Sequence, residues 1–166
     1  MAEQATESQL TQFQFTGFAV NRAVFEHVKR VQPEPGEAKP SELNHNLVVG
    51  ASISAIGENK AEIHLGMTVQ PDPKWMPYKV EVEVIGHFSM VTGTADMFDK
   101  FCRLVAPPIL FPYIREAIHR LTMDGRYGAV RLNPINMQAL LNRTEWQTVP
   151  AAASTAASEP SPPSSQ

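Results

Sequence analysis

Five histidines, a pair of glutamates two residues apart and a single cysteine are the residues of this chain whose types could support chemistry. The histidines, at positions 27, 45, 64, 87 and 119, never stand in H-x-H or H-x-x-x-H spacing, and no carboxylate pair completes a metal site with them. His64 and His87 fall on strands beside glycines and read as surface or satisfied side chains. Glu81 and Glu83 have the types of an acid–base pair, but on an alternating strand they read as one solvated face. Arg115 and Glu116 are adjacent on a helix and so do not face each other. Cys102, in "DMFDKFCRLV", sits among apolar neighbours at helical spacing and reads as a small packed hydrophobe. Neither G-x-x-x-x-G-K-[ST] nor G-x-G-x-x-G occurs, so neither phosphate cradle is present. These residues nominate no reaction, no metal and no cofactor.

The elements that must position them divide the chain in two. The first half reads as strands. "FQFTGFAVNRAVFEHVKR" is a long strand whose alternation slips near Asn21 to Ala23. A proline-rich loop, "VQPEPGEAKPSE", follows. "HNLVVGASISAI" and "AEIHLGMTV" then flank the polar link "GENK", a hairpin signal. Leu47, Val49, Ala51, Ile53 and Ala55 share one face of the first arm; Ala61, Ile63, Leu65, Met67 and Val69 share one face of the second. In "YKVEVEVIGHFSM", Val80, Val82 and Val84 oppose Lys79, Glu81 and Glu83, which implies an antiparallel sheet with one packed and one wet face.

The second half reads as helices. "TADMFDKFCRLV" begins at a Thr or Asp cap, and "APP" interrupts it. Pro112 fits the first turn of a second helix striped with Ile114, Ala117, Ile118 and Leu121 and stopped at Gly125. After a short extended piece, "YGAVRL", Asn136 caps a last helix bearing Met137, Leu140 and Leu141 within "NPINMQALLNRTEW". The pattern is α+β: four strands, then helices.

The 166 residues, 43% hydrophobic, suit one domain, expected over residues 12–148 between two ends, 1–11 and 149–166, too polar or too Ala/Ser/Pro-rich to order themselves. No apolar run approaches membrane-spanning length, the start lacks the features of a signal peptide, and one cysteine suits a reducing compartment. A cytoplasmic location is expected. Glu3, Glu7 and Glu159 lie in the ends, leaving 14 acidic residues against 14 Lys and Arg in the body. That balance argues against a nucleic-acid partner.

One passage carries more. "ILFPYIREAIHRLTMDGRYGAVRLNPINMQALL" has a Leu-Phe-Pro-Tyr-x-Arg-Glu helix start at Leu110–Glu116, a break at Gly125, an extended step through Leu132 and a Pro-Ile-Asn opening of the last helix at 134–136. In this order the elements resemble the C-terminal half of the SecB family of bacterial export chaperones. The resemblance covers roughly residues 15–145, in its first half by strand pattern alone. It implies a four-stranded antiparallel sheet backed by helices and assembled as a dimer of dimers. It implies no cofactor, and a role in holding unfolded precursor proteins in an apolar groove before handing them to the ATPase SecA.

By position in the family pattern, Leu47 and Val49 with Met137, Leu140 and Leu141 are candidate groove residues, each also readable as plain core. Phe111 and Tyr113 are candidates for oligomer or groove packing, or for intrasubunit core. Glu26 and Glu81 match acidic SecA-docking positions, and Glu83 adds to that face. Arg22 stands where the family has an acidic residue and Lys79 where it has an apolar one, changes that weaken steering toward a basic partner. Two other readings stand beside general export: a chaperone dedicated to particular clients, such as an antitoxin, and a ligand-binding or structural oligomer on the same fold.

Overall fold

Strict alternation makes Tyr78–Met90 the centre of the molecule. Every second side chain from Tyr78 to Phe88 that points inward is buried, and the intervening residues are half-buried on the opposite face. A computed structural model describes residues 12–40, 46–142, 144 and 146–149. The two ends expected to lack structure lie outside the described residues apart from Val149, as does His45.

Among the described residues five strands form one sheet: β1 (Phe13–His27), β2 (Leu47–Gly57), β3 (Lys60–Val69), β4 (Tyr78–Met90) and β5 (Trp146–Val149). Their order is β1-β4-β3-β2-β5. The first four pair antiparallel, and β5 runs parallel to β2. The expected four-stranded antiparallel sheet is therefore corrected to a five-stranded mixed one. The fifth strand, opened by Trp146, follows the last helix and has no counterpart in the expected pattern.

The slip in β1 is a pair of irregularities, between Phe15 and Gly17 and between Val20 and Arg22. Each inserts one residue and resets the alternation. Phe15, Phe18, Val20 and Phe25 thereby all stand opposite inward-facing positions of β4, despite their uneven spacing. In the hairpin of β2 and β3, Glu58 and Asn59 form the tip, and Gly57 takes a φ of 151° that side chains disfavour.

Among the described residues three helices cover the apolar face: α1 (Ala95–Leu104), α2 (Ala106–Thr122) and α3 (Met137–Leu141). Thr94 caps α1 by accepting the Met97 N–H. The expected start of the second helix at Pro112 is wrong: α2 begins at Ala106, directly after Val105, and Pro112 lies inside it. Prolines at the helix start already occupy the turn where a missing N–H is harmless, so "APP" opens the helix instead of separating it from the next. Leu110, Ile114 and Ile118 recur every fourth residue and are fully enclosed against the sheet. Leu110 seats over Gly86, where an added Cβ would fall within 2.9 Å of its Cδ1. At the far end a Cβ on Gly125 would meet the Tyr78 ring carbon Cζ at 2.8 Å, so glycine there serves close approach. Residues 128–136 return along the helix without pairing as a strand, burying Val130 and Leu132.

Candidate functional site

Two surfaces collect the candidate residues: the apolar margin beside β2 and the polar face of the sheet. At the margin, Asn136 starts α3 by accepting the Ala139 N–H on Oδ1 at 3.1 Å. This short helix lies against both β2 and α2. Its Met137 and Leu141 are buried in the core, whereas Leu140 is half-buried and packed at the core's edge. Leu47 and Val49 are likewise half-buried, on the core-facing side of β2. Trp146 of β5 extends the same margin, half-buried, with the Arg103 guanidinium 5.5 Å from its ring centroid. Of the five groove candidates, then, Leu47, Val49 and Leu140 keep surface, while Met137 and Leu141 are enclosed.

Phe111 is buried within the subunit. Tyr113 is half-buried and stacks on Phe18 with ring centroids 3.9 Å apart, with Phe15 beyond at 6.1 Å. Phe18 and Val20 remain 43% and 48% exposed, so this end of the apolar face is covered on one side only.

On the polar face the three candidate docking carboxylates are all engaged within the chain. Glu81 faces two cations: Lys79 Nζ lies 2.7 Å from Oε1 and Arg22 3.0 Å from Oε2. The Lys79 hydrogen bond, helped by the charges of Lys79 and Arg22, holds the Glu81 carboxyl below its usual range, and Glu81 in turn raises Lys79. Glu26 stands 4.0 Å from Lys79. Glu83 accepts the Asn21 side-chain amide at 2.9 Å and meets His64 Nδ1 at 3.2 Å. His87 Nδ1 lies 3.3 Å from Glu62, which also stands 3.9 Å from His64. Sequence reasoning left these histidines as satisfied surface residues and missed Glu62 as their partner. The register of β3 against β4 pairs Glu62 with His87 directly, and the sequence alone does not show that register.

Burial, reinforced by Asp99, pushes the Cys102 thiol up to about 12, which keeps it protonated. Among the described residues no cluster of three or more His, Cys, Asp or Glu could hold a metal ion. No described helix is long and apolar enough to cross a membrane.

Comparison with known proteins adds three findings. The family model "Preprotein translocase subunit SecB" matches residues 6–148. The Protein-export protein SecB of Marinobacter nauticus is 34% identical over 101 residues, which span 57% of this chain and 58% of that protein. That of Xanthomonas campestris pv. campestris is 30% identical over 125 residues, spanning 75% of this chain and 72% of that protein. Among solved structures, a Mycobacterium tuberculosis SecB-like chaperone in complex with a ChAD peptide from the HigA1 antitoxin superposes with a TM-score of 0.60. At 15% identity it covers 81% of this chain and all of that one, a likeness of fold. With a match that runs through both the sheet and the helices, the chain belongs to the SecB family.

Proposed function

We propose that this protein is an export chaperone that holds unfolded precursor proteins in the cytoplasm without ATP, making and breaking no bond. The observation that carries the reading is the open apolar margin of Leu47, Val49 and Leu140, half-buried side chains flanking a core that Met137 and Leu141 complete. An unfolded segment covering about 1,000 Å² of apolar surface gains on the order of 25 kcal/mol gross. Ordering the client and losing its freedom offset most of that, which leaves reversible capture. Apolar side chains on a margin recognise exposure of hydrophobic stretches and no particular sequence.

Assembly as a dimer of dimers fits the same reading. β1 ends the sheet as a 15-residue edge, and its exposed Phe18, Val20 and Phe25 offer apolar area along it, Phe18 beside Tyr113. A long edge of this kind invites a strand from another subunit. Phe111, enclosed in its own subunit, serves that assembly only by supporting α2.

For the handoff to SecA, Glu26, Glu81 and Glu83 are the proposed contacts. The pairing of Glu81 with Arg22 and Lys79 favours a second reading, a SecB-like chaperone dedicated to one or a few clients. A carboxylate already shared between two cations offers little steering to a basic partner. The antitoxin peptide bound by the mycobacterial chaperone is a precedent for a dedicated client.

Light scattering on the purified protein, alone and mixed with a reduced, unfolded polypeptide, tests the reading. A four-chain particle that takes up the polypeptide without nucleotide is expected. A particle that ignores it refutes the chaperone function. SecA titration then separates the two readings, micromolar or tighter binding supporting general export.

A further inference from the structure

α2 and the segment that returns along it are the cationic part of this chain. Residues 106–142 hold Arg115, Arg120, Arg126 and Arg131 against only Glu116 and Asp124. The last turn of a helix favours cations, which accounts for His119 and Arg120. It does not account for Arg115, in the middle of α2, or for Arg131, outside it.

Helical spacing puts Pro112, Arg115, Glu116 and His119 on one stripe of α2. The return segment is tied to the helix where the Val130 N–H meets the Thr122 hydroxyl. Its side chains then alternate: Val130 and Leu132 are buried and Arg131 is exposed. A solvent-open cavity of about 430 Å³ is lined by that stripe and by Val130, Arg131 and Leu132.

The lining divides by chemistry. Pro112, Val130 and Leu132 form an apolar wall. Glu116, the one acid in the lining, is turned to Arg120, with 2.7 Å between Oε1 and Nη2. Arg115, His119 and Arg131 form no ion pair among the described residues. Two uncompensated guanidinium groups and an imidazole thus line one hollow. Each guanidinium presents a planar fork of donors that matches phosphate oxygens. Two such forks balance a dianion, whereas a carboxylate would leave one charge over. The cavity has the size of a small-molecule pocket, so there is room for a carbon body against the apolar wall.

We infer that this cavity binds a phosphate monoester with a small apolar body. Arg115 and Arg131 hold the phosphoryl group, and His119 is a further donor. The site shares no residue with the margin beside β2 or with the polar face of the sheet, and it does not depend on the chaperone reading.

Titration calorimetry of the full chain at low salt and about pH 8, where the ester is a dianion, tests this with phenyl phosphate as the probe. Binding with a Kd below about 1 mM is expected, and no binding overturns the inference. Benzoate keeps the ring with a single charge, and inorganic phosphate keeps the charge without a ring. Each is expected to bind at least about tenfold more weakly than the ester. Benzoate as good as the ester overturns the phosphoryl assignment; phosphate as good overturns the role of the apolar wall and with it the ester. Arg115→Gln and Arg131→Gln should each weaken phenyl phosphate by about tenfold. Arg126→Gln should not, since that side chain lies over Tyr127 and outside the lining. Equal loss in all three means general attraction to a basic surface and overturns the site. Light scattering on the same variants separates a ligand site from a subunit contact. Unchanged particle mass is expected, and a loss of binding that comes with a change in mass overturns the inference.

Discussion

The Thr122 hydroxyl joins two stretches of backbone: it donates to the Ile118 carbonyl at 2.9 Å and accepts the Val130 N–H at 2.8 Å. Thr122 is fully buried at the last turn of α2, and Val130 belongs to the segment returning toward α3. One side chain thus fixes where the chain leads after the helix, and through it where α3 meets β2.

Thr122→Val keeps the shape and removes both bonds, leaving the Val130 N–H buried without a partner. The expected cost is about 1–3 kcal/mol in urea unfolding, with Thr122→Ser close to the parent. A Val variant as stable as the parent would show that the return segment is held by packing alone.

Glu81 provides a pH test. Its carboxyl lies below 4.5 because Lys79 donates to it, so the pair's contribution is present above that value and fades as pH falls through the lower, folded-state one. Lys79→Met is expected to move the Glu81 titration up toward 4.5, and Arg22→Ala to move it less, as followed by carboxyl-carbon NMR. Glu81 is on the surface, and little change in global stability should accompany either shift.

The apolar margin is tested by charge. Leu140→Asp places a carboxylate where a half-buried side chain meets solvent, and client capture is expected to drop about tenfold or more while the assembly persists. Leu141→Asp, in the enclosed core, should instead abolish folding. Unchanged capture by a folded Leu140→Asp protein would move the groove elsewhere.

Docking and holding are separable if they use opposite faces of the sheet. Glu81→Lys is expected to reduce SecA binding, measured by titration calorimetry, and to leave oligomer size and client capture as they were. A parallel loss of capture would mean that the polar face is not a separate docking surface.

Much of the fold is legible in the sequence, and the exceptions have physical causes. The hairpin Leu47–Val69 and the alternation of β4 are visible because neighbouring residues share one environment rule. The irregularity at Asn21 is visible because it breaks that rule. Asn136 is readable as a cap since its side chain acts only three residues ahead. β5 is not readable: four residues carry too little period, and its partner β2 lies far earlier in the chain. The start of α2 was misplaced because prolines at its beginning and at Pro112 each suit a first turn, and only the structure shows which turn is first. For the site, sequence put Leu140 and Leu141 on one apolar helix but could not say that only Leu140 keeps surface. Nor could it say that Arg22 and Lys79 converge on one carboxylate, since that depends on cross-strand register.

The anchoring of Trp146 beneath Arg103 also gives the protein a built-in optical gauge. The chain has two tryptophans, and Trp75 sits in the turn between β3 and β4, bridged through Asp72 and Met76. With Trp75 replaced by Phe, the remaining indole emission reports the environment of β5 alone. A change in that emission on mixing with client would report contact at this margin directly, in a stopped-flow trace and without any attached dye.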